Sequence, residues 1–251
     1  MLTIPYRNGQ DGACRTGVAK DAGAEPCDHC PGKHYNVCKY LEAERQKDLF
    51  RTGMRQRWKR REFLFRAGTK VGAVFKLTSG IVAVSRSLSD GRRQILSFVM
   101  SGDLCGLQDV DGLHDFDGEA ITEVETCSFN RERFNTFVSR NRDVADEYRR
   151  YLLGNLSMLG SHLGAVGQLT STERVAYFLV EMVALSSERH IQTHPLVLPM
   201  RRIDIADYLG LRLETVSRAF TKLKKRRIIE LRDEEVVVLD TARLGELSNS
   251  R

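Results

Sequence analysis

From about residue 54 to 136, short apolar runs alternate with turn residues, as in FLFRAGTKVGAVFKLTSGIVAVSRSLSDGRRQILSFVMSGDLCGL. Turn pairs fall at Ala67-Gly68, Ser79-Gly80, Asp90-Gly91 and Ser101-Gly102. This regular spacing of roughly 8–12 residues predicts short antiparallel strands closed into a barrel or sandwich. Asp90-Gly91 is the strongest hairpin signal, since Asp and Gly tolerate the positive φ of a tight turn. Past residue 140 the period changes. Tyr148, Leu152, Leu156, Leu159, Leu163, Val166 and Leu169 recur at steps of three and four. This narrow stripe predicts a long helix that pairs with another helix or packs on its own domain. Gly154, Gly160, Gly164 and Gly167 weaken that helix but permit close approach of a partner.

Thr170-Ser171-Thr172-Glu173 reads as a capping box. It opens a helix over about 171–187 with Val175, Phe178, Leu179, Met182 and Val183 on one face. Leu196-Val197-Leu198 predicts a short strand before Pro199, followed by two short helices over about 202–209 and 213–226. RIIELRDEEVVVLD predicts two strands joined by a tight charged turn, Arg232–Glu235. Three helices followed by a hairpin is the winged-helix order. RIDIADYLGLRLETVSRAFTKLKK also meets the demands of a helix-turn-helix. Ala206 is small where two helices cross, and Gly210 stands where the turn needs a left-handed backbone. Ile205, Leu209, Leu211, Val216 and Ala219 supply the apolar faces. Glu214, Ser217 and Arg218 project from one face of the second helix at i, i+3 and i+4. Arg can grip guanine, Glu can accept from cytosine, and Ser can contact thymine.

Charge sharpens this reading. The 251 residues carry a net +6. The stretch from Arg201 to Arg227 holds nine Lys/Arg against three acids, an excess equal to that of the whole chain. Such a concentrated basic surface points to nucleic acid. A second basic run, Arg55, Arg57, Lys59, Arg60 and Arg61, is read as a solvated strand and turn. No apolar stretch is long enough to span a membrane, and the start MLTIPYRNGQDGACR lacks a signal-peptide core, so a cytoplasmic protein is expected. No nucleophile–base set suggests an enzyme: His162, His190 and His194 have no motif company.

Residues 1–40 show no periodicity and predict a loop, and 41–52 a short helix. The loop carries Cys27-Asp-His-Cys30, and Cys38 follows after seven residues. Three thiolates so close in a structureless segment form a metal-ligand arrangement. A fourth sulfur must come from Cys14, Cys105 or Cys127, or His29 or His34 could complete a zinc site. Spacing alone does not choose between zinc and an iron–sulfur cluster.

GDLCGL, the heptad helix, ERVAYFLV and above all DYLGLRLETVSR resemble the cyclic-AMP-receptor/FNR superfamily of bacterial transcription regulators over about residues 27–245. The E-x-x-S-R of Glu214, Ser217 and Arg218 is similar to the FNR/FixK branch, which reads TTGA half-sites in an inverted repeat. C-x2-C-x7-C is similar to oxygen-responsive members of the FnrN/AadR kind. The resemblance implies an α+β chain: a cysteine-bearing segment (1–49), an N-terminal β-roll of the cyclic-nucleotide-binding, double-stranded β-helix type (50–136), a dimerisation helix (137–168) and a C-terminal winged helix-turn-helix (169–251). It further implies a homodimeric, oxygen-sensing activator that binds double-stranded promoter DNA and RNA polymerase. A labile [4Fe–4S] cluster would sit on Cys27, Cys30, Cys38 and Cys127, with Cys105 the competing fourth ligand and Cys14 spare. Loss of that cluster to oxygen would weaken the dimer. Glu214, Ser217 and Arg218 would read bases while Arg212, Lys222 and Lys224 hold phosphate. In cyclic-nucleotide-binding relatives a Glu and a later Arg hold the phosphate. Here Asp103 replaces the Glu and no Arg lies between Leu104 and Glu119, so no cyclic nucleotide is expected. Arg212 stands where relatives usually have Thr, removing a good N-cap. The alternative is a FixK-like regulator with no cluster, or with a structural zinc, controlled by abundance or thiol oxidation.

Overall fold

The computed structural model describes Cys38 and residues 53–107, 109–188, 196–232 and 235–248. The loop expected over residues 1–40, apart from Cys38, and the helix expected over 41–52 lie outside them.

Among the described residues from 53 on, ten strands come first: β1 (Gly53–Trp58), β2 (Phe63–Phe65), β3 (Ala73–Ser79), β4 (Val82–Ser87), β5 (Arg93–Val99), β6 (Leu104–Cys105), β7 (Asp109–Val110), β8 (Leu113–His114), β9 (Asp117–Ala120) and β10 (Val124–Asn130). They form two four-stranded antiparallel sheets, β1-β10-β3-β6 and β2-β9-β4-β5, with a small β7-β8 pair. Of the two closures left open by the turn spacing, this is the rolled one. Gly68, Gly80, Gly91 and Gly102, the four turn glycines of the sequence pattern, all have positive φ. At Gly80 no other residue fits, because a Cβ would overlap the carbonyl oxygen of Glu123.

Alternation along the strands sorts side chains into two cores. Phe75, Leu77, Val82, Val84, Val99, Cys105, Ala120 and Val124 fill the roll. Val74, Leu104, Cys127 and Phe129 face outward, where Phe134 and Val144 of the following helices cover them.

Those helices are α1 (Arg131–Arg140) and α2 (Arg142–Gln168). The helix expected over 137–168 is therefore broken: Asn141 is extended (φ −127°, ψ 100°) and the long helix begins one residue later. A polar Asn that accepts the β-region is a natural breakpoint, and its side-chain amide donates back to Phe137 O. α3 (Ser171–Glu188) starts at the expected capping box, where Glu173 accepts the Thr170 N–H at 2.8 Å. β11 (Leu196–Val197), α4 (Arg202–Leu209), α5 (Leu213–Lys225), β12 (Ile229–Arg232) and β13 (Glu235–Val238) complete the winged helix-turn-helix, with the three strands ordered β11-β13-β12. α6 (Thr241–Ser248), which the sequence pattern did not reveal, follows the wing.

The roll and the winged helix share one apolar core. Ala83, Ile95, Phe98, Met100 and Ile121 on the outer side of the β4–β5 sheet join Phe178, Leu179, Ile205, Leu209, Val216 and Phe220. Phe98 meets Tyr208 with ring centroids 5.2 Å apart. Ile95 is wholly buried at this seam. Ile95→Ala should therefore cost about 2–5 kcal/mol. Urea unfolding followed by circular dichroism should show roll and winged helix losing stability in one shared transition.

Candidate nucleic-acid interface

α4 and α5 meet as a helix-turn-helix requires. Ala206 is fully buried at their crossing, and Gly210 adopts the left-handed conformation (φ 62°, ψ 38°) with its N–H donating to Ala206 O. Val216, Ala219, Phe220 and Leu223 form the buried face of α5. Glu214, Ser217, Arg218 and Lys222 lie on its exposed side, and Arg212 is exposed at its start. Lys224 is exposed on the same helix, so all six residues expected to contact DNA fall on α5 and its N-terminal flank. Among the described residues neither Glu214 nor Arg218 has an ion-pair partner, and both are exposed. Ser217 Oγ donates to Leu213 O at 3.0 Å, which leaves its lone pairs turned outward. Arg212 occupies the N-cap with an extended backbone and no side-chain capping bond, as expected for the loss of a Thr there. The helix opens without a side-chain cap, and its N-terminus beside the exposed Arg212 is a favourable setting for phosphate.

α4 is capped in an unforeseen manner. Asp204, three residues into the helix motif, accepts the Arg201 N–H at 3.1 Å and the Arg201 Nε–H at 3.0 Å. Burial pushes the Asp204 carboxyl up, but Arg201 and Arg93 outweigh it and hold the group below the usual carboxylate range. Nothing in the sequence distinguished Arg93, in DGRRQ, from an ordinary solvated hairpin arginine.

The cysteines separate by strand face. Cys105 pairs with Phe75 across β6 and β3, points into the roll and is 1% exposed. Burial, with Asp103 nearby, pushes its thiol far above the normal range. Cys127 lies on the opposite, outer face of the β1-β10-β3-β6 sheet, opposite Arg55 and Lys76. Cys38 packs against that same outer core, as do Tyr148 and Tyr151 of α2. Cys27, Cys30, Cys14, His29 and His34 lie outside the described residues. Among the described residues no group of three or more His, Cys, Asp and Glu side chains converges on a point.

A cavity of about 130 Å³ lies between the roll, α2, α3 and α4. Its polar lining includes Ser97, Asn155, His162, Glu181 and Tyr208, with no Lys or Arg. Tyr208 donates to Glu181 at 2.7 Å, and burial raises the Glu181 carboxyl. A cyclic phosphate placed there would meet an acid and no guanidinium.

Residues 173–247 match the model of the Crp-like helix-turn-helix domain, and residues 55–141 that of the cyclic nucleotide-binding domain. Nitrogen fixation regulation protein FixK of Bradyrhizobium diazoefficiens is 32% identical over 226 residues, covering 88% of this chain and 93% of FixK. The transcriptional activatory protein AadR of Rhodopseudomonas palustris is 31% identical over 220 residues, covering 88% of this chain and 92% of AadR. The solved structure of FixK2 from Bradyrhizobium japonicum superposes with a TM-score of 0.73 at 31% identity, covering 79% of this chain and 98% of that one. The chain belongs to the CRP/FNR family, in its FixK branch. It is a DNA-binding transcription regulator of the FixK/FNR type.

For this CRP/FNR regulator the exposed face of α5 generates two distinguishable outcomes. Arg218→Ala should cost about 1–3 kcal/mol of binding and relax selectivity at one base, whereas Lys222→Ala should weaken all sequences alike and reduce the salt slope by about one. Fluorescence anisotropy on a panel of single-base-substituted duplexes, repeated at several salt concentrations, separates the two.

Proposed function

We propose that this regulator is a cytoplasmic, oxygen-responsive homodimeric activator, and that its hold on TTGA-type inverted-repeat promoter DNA depends on a [4Fe–4S] cluster carried by Cys27, Cys30, Cys38 and Cys127. The observation that supports this most strongly is that Cys38 and Cys127 share one outer core with Val144, Tyr148 and Tyr151 at the start of α2. The donor set also fits, since thiolates are what an iron–sulfur cluster takes. Cys105, turned into the roll behind the same sheet, is the poorer fourth ligand.

When bound, the cluster supplies an anionic, oxygen-labile core that four thiolates hold together. The chain does the rest. With Cys38 held against the sheet, the outer core under the first turns of α2 is closed. Tyr151 then fixes α2 to β6, donating to Leu104 O at 2.9 Å and accepting from Leu104 N–H at 3.1 Å. α2 displays Leu152, Leu156, Leu159 and Leu163 to solvent, with Leu156 66% and Leu163 74% exposed. A second copy would bury this seam at coiled-coil spacing. Pairing would set two α5 helices about 34 Å apart, one DNA turn. A change of about 1.4 kcal/mol in dimerisation alters its constant tenfold, so modest loosening near Cys38 suffices to release DNA. RNA polymerase is the expected partner of the bound dimer. We assign the chain no catalytic role and no cyclic nucleotide.

Anaerobically purified protein should contain iron and acid-labile sulfide. Cys127→Ser should lose both, while Cys105→Ala keeps them. Zinc in place of iron and sulfide would favour the structural-metal alternative, and iron retained by Cys127→Ser but lost by Cys105→Ala would reverse the ligand assignment. Leu156→Glu should give a monomer in sedimentation velocity and lower affinity for the inverted repeat at least tenfold, with iron content unchanged.

A further inference from the structure

The β4–β5 hairpin reaches across to the reader and grips α4 at both ends. Arg93, the first residue of β5, is 20% exposed and meets three carboxylates. Its Nη1 donates to Glu119 Oε2 at 2.7 Å, its Nη2 to Asp204 Oδ1 at 2.6 Å and its Nε to Asp207 Oδ2 at 2.9 Å. Glu119 belongs to the roll, whereas Asp204 and Asp207 belong to α4. Asp204 is 1% exposed and also anchors the start of α4 through Arg201. The next residue, Gln94, holds the other end, its Nε2 donating to Tyr208 O at 2.9 Å. Arg174 of α3 donates to the neighbouring Leu209 O at 3.1 Å. These carbonyls belong to the last turn of α4, where no intrahelical donor remains, so strand and helix each satisfy an obligatory acceptor.

Exposed ion pairs contribute little, but this one is largely buried, forked and specific in direction. A guanidinium that fills all three of its donor edges with carboxylates from two elements fixes their separation and their angle. α4 in turn sets the angle of α5, through Ala206 and the left-handed turn at Gly210.

We infer that Arg93, with Gln94, is a positioning residue for DNA recognition: it sets the angle at which α5 is presented and thereby the spacing of half-sites the dimer accepts. The inference rests on the dimeric reading above. Arg93 touches no base. It acts through Asp204, Asp207 and α4, so its loss should change tolerance to spacing without changing which bases are preferred within a half-site.

The test uses the full chain, prepared anaerobically, and inverted-repeat duplexes whose central spacer is the optimum or differs from it by one or two base pairs. Wild type should show a sharp optimum. Arg93→Gln should lose about tenfold at the optimum and much less at the neighbouring spacers, flattening the profile. A single-base change within one half-site should cost it the same factor as wild type. Asp207→Asn should flatten the profile in the same sense, and should add little to Arg93→Gln when the two are combined. Arg93→Lys, which keeps the charge but not the fork, should recover only part of the optimum. If Arg93→Gln is too unstable to assay, Asp207→Asn and Gln94→Ala carry the comparison. An unchanged profile, or a uniform loss across all spacers, overturns the inference while leaving the dimeric reading standing. A wild type with no spacing preference overturns both.

Discussion

Eight residues of helix cannot orient themselves. A helix as short as α4 is marginal by its own hydrogen bonds, so its direction is set by what surrounds it. Here the surroundings are the roll, through Arg93 and Gln94, and the shared core in which Ile95 and Phe98 meet Ile205, Tyr208 and Leu209. Everything the reader does depends on this fixture, because α5 is carried on α4 through a turn with one conformation. Roll and winged helix are therefore parts of a single packed body, and a change in one has a mechanical route to the other.

α2 completes the route. At 27 residues it is about 40 Å long. Its first turns, with Val144, Tyr148 and Tyr151, cover the outer core where Cys38 and Cys127 lie. Its last turns reach the reader, where His162 stacks on Tyr208 of α4 with ring centroids 4.0 Å apart. Between the two ends runs the exposed leucine seam. One helix thus touches the cysteine face, the surface proposed for a second copy, and the helix that supports DNA reading.

Much of this was legible in the sequence because the signals were local. Glycine at the turns, the Thr170–Glu173 cap and the Ala206–Gly210 spacing each report on a few neighbouring residues, and the structure places each as expected. The break at Asn141 was not legible, since a capping Asn resembles any polar position in a helix. α1 and α6 were missed because each is short and buries little, Phe134 in α1 and Leu244 with Ser248 in α6. The Arg93 fork was invisible for a deeper reason: two of its three partners, Asp204 and Asp207, lie over a hundred residues away, and a charge run in a hairpin reads the same whether it faces water or a second domain. The faces of Cys105 and Cys127 needed strand registers, because a single-residue shift would exchange inside for outside.

The central claim is that the state of the cysteine face governs occupancy of DNA. The most direct measurement follows one anaerobic sample through exposure to air, recording iron content and affinity for the inverted repeat at each step. The account predicts that affinity falls in proportion to the iron lost. Full retention of affinity in protein that has lost its iron would contradict it.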